Sequence, residues 1–162
     1  MRALDIDLDF FQFGRITGSC GYSEGKRTNS NDVSPWPKER VRKFLESQCG
    51  LVAGSKLPIW KVSKHHEVFI IWRSLIDQDL LNAPFELIHV DAHADFGTGT
   101  ISAEYFISKY LYLEVDSRDD PPYEELDGIN EGSYLLFAIA NRWITAIPSC
   151  AHIILSTSRR II

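Results

Sequence analysis

The sequence predicts an α/β protein in which helices flank a parallel sheet and the functional site lies at the carboxyl edge of that sheet. Predicted strands at residues 1–11 and 85–90 are each followed by predicted helices. Each strand also leads into a group of aspartates, in LDIDLDFF and in LIHVDAHAD. Because parallel strands bring their carboxyl ends to one edge, both groups are expected there.

The first part of the chain is predicted as a strand, a loop and a helix. Residues 1–11 alternate apolar and acidic side chains, which is the period of a strand. Residues 14–37 are rich in Gly, Ser, Asn, Thr and Pro and indicate a long surface loop. The apolar spacing over 38–48 indicates an amphipathic helix that begins after Pro37 and that Gly50 can end.

The second part contains the most apolar predicted strand. Residues 57–62 fit a short strand, and Ser63 can cap a helix that begins near His65 and is apolar nearly all round. Residues 85–90, FELIHV, form a hydrophobic strand after the break at Pro84. The remaining elements are a loop over 114–128, a helix over 130–143 and a short strand over 151–155.

Composition limits the classes of protein to which the chain can belong. Its 162 residues are 44% hydrophobic and 24% charged, which predicts one globular domain over residues 1–162. A formal net charge of −5 argues against a nucleic-acid partner. No apolar run approaches the roughly 18 residues of a membrane span or resembles a signal peptide, so we expect a cytoplasmic protein without a membrane partner. The three cysteines lack metal-like spacing and are expected to be reduced.

The pattern Asp91-Ala-His93-Ala-Asp95 directly follows the apolar strand. It places two carboxylates and one imidazole where a strand opens into a loop, and hard divalent cations such as Mn²⁺ accept both ligand types. His89, two residues before Asp91 on the same strand face, is expected to support a ligand. The alternative is a solvated turn with an Asx cap and a core histidine.

A second acidic group is Asp5-Ile6-Asp7-Leu8-Asp9 in the first strand. Three carboxylates on one strand face repel each other, and divalent cations would remove that repulsion. Two-metal sites also need carboxylates that bridge the ions. The alternative is an edge strand whose acidic face lies in water.

Two shorter features complete the candidate site. His65-His66-Glu67 opens the predicted apolar helix, where a histidine ring can reach past the sheet edge to a metal, although such a pair can also be only a polar cap. Glu131 stands where a polar loop meets an apolar helix, a position at which an acidic residue often serves only the helix dipole.

Together, LDIDLDFF, His65-His66-Glu67 and HVDAHADFG resemble the motifs of the binuclear manganese ureohydrolases, the arginase and agmatinase superfamily. The likeness is greatest to the peptide arginases of ribosomal peptide natural-product biosynthesis. It implies a three-layer arginase- or deacetylase-like fold of reduced size. In arginases the D-x-D motif follows D-A-H-x-D, whereas here it comes first and the chain is shorter. The resemblance therefore implies either a rearranged fold or a site shared within a homo-oligomer.

The resemblance also implies ligands for two Mn²⁺ ions. Asp91 would bridge the ions, His93 would bind one of them and Asp95 the other. A second bridge and a further ligand would come from the acidic strand, either from Asp7 and Asp9, which we prefer, or from Asp5 and Asp7. One residue of the pair His65 and His66 would add a ligand: we place His66 among the metal ligands and His65 among the catalytic candidates, and leave the reverse open.

The implied activity is hydrolysis of an arginine guanidino group to ornithine and urea within a peptide substrate. Glu131 or Glu67, or the histidine that does not bind metal, would protonate the leaving amine. Two alternatives remain open at this point, a zinc-dependent amide hydrolase of the deacetylase type and a protein in which the acidic groups hold a structural cation without catalysis.

Overall fold

The computed structural model of the protein describes residues 1–14, 33–97, 100–118, 121 and 128–147. The fold is mixed α/β, with a three-stranded parallel sheet and a separate two-stranded antiparallel sheet. The strands are β1 (Arg2–Ile6), β2 (Gln12–Gly14), β3 (Val33–Pro35), β4 (Phe85–Val90) and β5 (Ile144–Ala146). The helices are α1 (Lys38–Gln48), α2 (Val68–Asp77), α3 (Thr100–Ser108) and α4 (Tyr134–Ala140). No helix in these ranges is long and apolar enough to cross a bilayer.

The parallel sheet has the order β1-β4-β5, so β4 is its central strand. β1 and β4 run side by side with Asp5 opposite His89 and Ile6 opposite Val90. The pairing continues past β1, because the Asp7 N–H donates to the Val90 carbonyl at 2.9 Å. The loops that follow the two strands therefore leave the sheet at the same place.

Apolar side chains cover both faces of β4. On one face Phe85 and Leu87 pack with side chains of α2 and α4. On the other face Ile88 and Val90 pack with side chains of α1 and of the segment after β1. Because successive side chains of a strand alternate, His89 lies on the same face as Leu87. The core on the two faces thus fixes where the polar residues at the end of β4 point.

Two predicted elements are confirmed to the residue. The strand over 85–90 is β4, in which every residue but Glu86 is buried. The amphipathic helix is α1, which begins after Pro37 and ends before Cys49. Gly50 follows with φ of +70°, a left-handed conformation that glycine adopts without a steric penalty at a helix end.

The predicted strand over residues 1–11 is wrong in its length. β1 ends at Ile6, and Asp7 caps a 3-10 turn, Leu8–Phe11, through its side chain. Phe10 and Phe11 are both buried in one cluster, which strict strand alternation does not allow. The turn therefore replaces the second half of the expected strand.

The segments around α2 differ from expectation in two ways. Residues 57–62 form no strand and are mostly exposed. The predicted helix near His65 begins as a 3-10 turn, His65–Glu67, with Lys64 rather than Ser63 at the N-cap, and only then becomes α2. Ile70 is half exposed, so α2 is buried on one side and not all round.

The remaining differences lie in the loops and the C-terminal part. β3 lies inside the predicted loop 14–37, and α3 was not predicted. The helix predicted over 130–143 is limited to α4, and the chain then forms the third strand of the parallel sheet, β5, which the sequence did not indicate. The strand predicted over 151–155 and most of the loop over 114–128 fall outside the described residues.

Candidate metal centre

Ionisable side chains converge at the carboxyl edge of β1 and β4. Several sets of three carboxylate and imidazole groups each have ligand atoms within 4.8 Å of one another. The residues in these sets are Asp5, Asp7, Asp9, His65, His89, Asp91, His93 and Asp95. The structure therefore brings together the two acidic motifs and one histidine of the pair before α2, as the parallel arrangement predicted.

The first part of the cluster, which we call the inner group, consists of Asp7, His65, Asp91 and Asp95. His65 Nδ1 lies 3.0 Å from Asp91 Oδ2 and 3.1 Å from Asp95 Oδ2. Asp7 Oδ2 is 3.6 Å from the same nitrogen. Three carboxylate oxygens thus surround one imidazole nitrogen. The side chains of His65, Asp91 and Asp95 are nearly buried, whereas that of Asp7 is 35% exposed.

The second part, which we call the outer group, consists of Asp9, Asp91 and His93. His93 Nδ1 lies 3.0 Å from Asp9 Oδ2 and 3.3 Å from Asp91 Oδ1. Asp91 accordingly belongs to both groups: its Oδ2 faces His65 and its Oδ1 faces His93. This division of one carboxylate between two sets of ligand atoms is the central geometric feature of the site.

Short-range hydrogen bonds hold the carboxylates of the two acidic motifs. Asp7 Oδ1 accepts the Asp9 N–H at 3.0 Å, and Asp91 Oδ1 accepts the His93 N–H at 2.6 Å. Both bonds span two residues, as in Asx turns. Asp95 has φ of +51°, a left-handed conformation that aspartate tolerates better than most residues. Local backbone hydrogen bonds within each acidic motif thus orient the Asp7 and Asp91 side chains.

The carboxylates raise one another's proton affinity where no cation offsets them. Burial, together with the charges of Asp7 and Asp91, raises the pKa of Asp9 to about 6. Burial and the charge of Asp91 also raise the pKa of Asp95, although its bond with His65 opposes the shift. The repulsion is therefore real in this geometry, and a cation at the cluster would remove it.

The carboxylates have the opposite effect on His65, whose imidazole they stabilise in its charged form. Burial alone would lower the pKa of its imidazole, but hydrogen bonds with Asp5, Asp91 and Asp95 outweigh burial and raise the pKa to about 12. The place that His65 Nδ1 faces is thus strongly favourable for positive charge. A proton on that nitrogen and a metal ion beside it would compete for the same carboxylates.

The other ring nitrogen of His65, Nε2, faces a second set of contacts, of which the sequence did not indicate Tyr134. Asp5 Oδ1 lies 3.0 Å from His65 Nε2, and Asp5 Oδ2 accepts the Tyr134 O–H at 2.6 Å. His89 Nδ1 lies 3.2 Å from Asp5 Oδ2 and His89 Nε2 lies 4.0 Å from Asp91 Oδ2, and its supporting role stays a prediction. Tyr134 was missed because nothing local marks a tyrosine 129 residues from its partner.

The other predicted site residues lie apart from the cluster. His66 is buried, and it is not among the described groups whose ligand atoms converge, so the geometry favours His65 as a ligand. Glu67 Oε2 accepts the backbone N–H groups of Ser63 and Lys64 at 2.8 and 2.9 Å, which lowers the pKa of its carboxyl. Glu131 is exposed in the turn before α4. Proton donation by either glutamate stays a prediction.

The donor set is of the kind that a hard divalent cation accepts. The two groups together offer four carboxylates and two imidazoles, with Asp91 common to both, and oxygen-rich sets of this kind suit Mn²⁺ better than Zn²⁺.

In comparisons with known proteins, the chain matches no family model and has no significant match among curated proteins or solved structures.

Proposed function

We propose that the inner and outer groups hold two Mn²⁺ ions and that the protein hydrolyses the guanidino group of arginine, within a peptide, to ornithine and urea. The proposal rests above all on Asp91, whose two oxygens face two different imidazoles at 3.0 and 3.3 Å. A carboxylate divided in this way is what a two-metal site requires of a bridging ligand. An arginase-like fold is part of the same proposal, supported by the helix-covered parallel sheet.

His65, Asp91, Asp95 and Asp7 would hold one ion, and His93, Asp9 and Asp91 the other. The Asp7 carboxylate, one of whose oxygens lies 3.6 Å from His65 Nδ1 and which precedes Asp9 by two residues, is the candidate for a second bridge. Two bound ions would supply a hydroxide nucleophile at neutral pH by lowering the pKa of water.

The side chains of the cluster would bind and orient the substrate. Asp7, Asp9 and His93 are 35%, 26% and 24% exposed, whereas Asp91 is fully buried, so a substrate would reach the cluster from the side of Asp7 and the outer group. The carboxylates there attract a cationic guanidinium. The chain has no segment resembling the arginase loop that recognises the α-amino and α-carboxylate groups of free arginine, which supports a peptide substrate.

The proposed reaction consumes one water for each arginine side chain. A C–O bond forms at the guanidinium carbon, the bond from that carbon to the side-chain nitrogen breaks, and urea leaves. The released amine takes up a proton, for which Glu131 is the proposed donor. The lowered pKa of Glu67 keeps its carboxylate ionised, so Glu67 would instead hold the turn that carries His65 through its two backbone bonds.

The direct test is a urea-release assay with added Mn²⁺ on free arginine and on an arginine-containing peptide, together with metal analysis of the purified protein. We expect two Mn²⁺ per chain and urea from the peptide but not from free arginine. Glu86→Gln is the matched control, because Glu86 lies on β4 at the end opposite Asp91 and should leave both readouts unchanged.

Other outcomes assign a different function. One Zn²⁺ per chain with no urea from either substrate would contradict the proposal and favour a zinc-dependent amide hydrolase. Melting that depends on Mn²⁺ without turnover of any guanidino or amide substrate would contradict catalysis and favour a structural cation.

A further inference from the structure

We infer that Asp5 is a positioning residue that fixes the imidazole of His65 for metal binding at Nδ1, and that Tyr134 and His89 hold Asp5 in place. The inference rests on the metal part of the proposed function. It gives Asp5 a different role from Asp7 and Asp9, although the three carboxylates alternate along one stretch of sequence.

The two nitrogens of His65 face different surroundings. Nδ1 points at the inner group, where the Asp91 and Asp95 oxygens lie at 3.0 and 3.1 Å. Nε2 points the other way, toward Asp5 Oδ1 at 3.0 Å and the Tyr134 hydroxyl oxygen at 3.1 Å. The ring is therefore held between the metal ligands on one side and the buried Asp5 on the other.

The partners of Nε2 decide which nitrogen of His65 keeps its proton when a metal ion binds. The Tyr134 hydroxyl donates its hydrogen to Asp5 Oδ2 at 2.6 Å, so its oxygen can only accept from His65. The Asp5 carboxylate also only accepts. Both partners thus require an N–H at Nε2. When a metal ion displaces the proton at Nδ1, the lone pair that remains there faces the inner group. A carboxylate behind a metal-binding histidine acts in this way in many metal sites.

The contacts of Asp5 also argue against its being a ligand itself. One of its oxygens is engaged by His65, and the other by Tyr134 and by His89 Nδ1 at 3.2 Å. The strand register places His89 directly opposite Asp5, so this arrangement follows from the β1–β4 pairing. Asp5 is buried, and both of its carboxylate oxygens are engaged by these neighbours.

The test measures Mn²⁺ bound per chain by equilibrium dialysis and metal analysis on the full chain, over a range of free Mn²⁺. We expect Asp5→Asn to weaken one of the two ions by about 10- to 100-fold while the other keeps its affinity. Tyr134→Phe should weaken the same ion by about tenfold, the low end of that range. Tyr110→Phe is the matched control: its hydroxyl is equally buried and donates to Asn141 Oδ1 at 2.7 Å, outside the site, so Mn²⁺ binding should not change.

Three results would overturn the inference. The first is two ions of wild-type affinity in both folded variants, and the second is equal weakening of both ions by Asp5→Asn, which would make Asp5 a shared ligand or a general support of the fold. The third is the same weakening in Tyr110→Phe. If Asp5→Asn does not fold, as judged by thermal melting, Tyr134→Phe decides. Absence of Mn²⁺ binding by the wild-type chain would instead contradict the proposed function.

Discussion

The inner and outer groups contain the same chemical groups but are built differently. The His65 side chain is 8% exposed and the His93 side chain 24% exposed, although both approach carboxylates at about 3 Å. His65 is brought to Asp91 from a turn before α2, whereas His93 is two residues from Asp91 and bound to it through the backbone. The contact of Asp91 with His93 depends on a local turn, whereas His65 in the inner group and Asp9 in the outer group are brought to the site by tertiary contacts.

This difference separates the tasks that the two groups would perform. Burial of His65, Asp91 and Asp95 strengthens the electrostatic interactions among these three residues of the inner group, whereas Asp7 remains one-third exposed. His93 and Asp9 of the outer group are about a quarter exposed, so under the proposed function a substrate would enter and an ion would exchange there. Because Asp91 belongs to both groups, a change there affects both, and a change elsewhere should affect mainly one.

The largest effect is expected for Asp91→Asn. The amide keeps the shape of the side chain but removes the charge that both groups share, so both ions and all urea release should be lost. Metal analysis and the urea assay measure the two losses, with Glu86→Gln as the control. An Asp91→Asn protein that keeps one tightly held Mn²⁺ would show that the inner and outer groups are independent sites.

The second-largest effect is expected in the pH dependence of the free energy of unfolding of chelator-treated protein, through His65 of the inner group. Hydrogen bonds with Asp5, Asp91 and Asp95 raise the pKa of His65 to about 12, from an ordinary value of 6.5. The folded state therefore binds a proton that the unfolded state releases above pH 6.5. This stabilisation is complete below pH 6.5 and is lost progressively as pH rises toward 12, with a slope on the order of 1 kcal/mol per pH unit.

Chemical denaturation of chelator-treated protein at pH 7 and pH 9 measures this slope. The free energy of unfolding should be lower at pH 9, and His65→Asn should make the two values more nearly equal. Tyr110→Phe should lower both values by a similar amount, because it removes a buried hydrogen bond without a charge. An unchanged pH slope in His65→Asn would mean that the protonated imidazole does not stabilise the inner group.

The contrast between the groups also explains which parts of the structure the sequence predicts. The Asp91–His93 part of the outer group follows from the local motif, because the side chain of Asp91 accepts the backbone N–H two residues later. Asp9 joins it through the pairing of β1 with β4. β4 and α1 follow from their apolar patterns. The choice of His65 over His66 and the contact of Tyr134 with Asp5 depend on how α2 and α4 pack against the sheet. Local patterns contain no information about such contacts, which join residues 60 and 129 positions apart.

Long-range contacts also explain why two strands were predicted wrongly or missed. Alternation predicted a long first strand, but burial of both Phe10 and Phe11 turns the chain after Ile6. The third strand, β5, has only three residues and no distinctive pattern, so it is defined by its pairing with β4. Long-range packing therefore decided the elements that sequence periodicity did not.

A smaller effect, with opposite signs under two conditions, is expected at the outer group. Burial and the charges of Asp7 and Asp91 raise the pKa of Asp9 to about 6 from 3.8. The folded state is thus stabilised below about pH 4, and this contribution is lost as pH rises through 6. At pH 7.5 the charged Asp9 destabilises chelator-treated protein, so Asp9→Asn should raise the free energy of unfolding by ~1 kcal/mol.

With saturating Mn²⁺ the sign should reverse, because Asp9 would then be a ligand of the outer ion and Asp9→Asn would weaken that ion and lower the melting temperature. Thermal melts in chelator and in Mn²⁺ give both signs. Asp116→Asn is the control, an exposed aspartate outside the cluster, and should change neither melt. If Asp9→Asn lowered the melting temperature in chelator as well, the charged Asp9 would stabilise the metal-free fold, contrary to this prediction.

The smallest effect is expected at the opposite end of the same two strands. Arg2 and Glu86 lie opposite each other in the register and form an ion pair, with Nη2 and Nε of Arg2 at 2.8 and 3.0 Å from one Glu86 oxygen. Both side chains are more than one-third exposed, so water and salt screen the pair. Glu86→Gln should therefore change the free energy of unfolding by less than about 1 kcal/mol, measured by chemical denaturation at low and high salt. A larger loss of unfolding free energy, or any change in bound Mn²⁺, would contradict this expectation. It would show that an exposed ion pair between β1 and β4 matters as much as a buried one, so that burial alone does not explain the difference between the inner and outer groups.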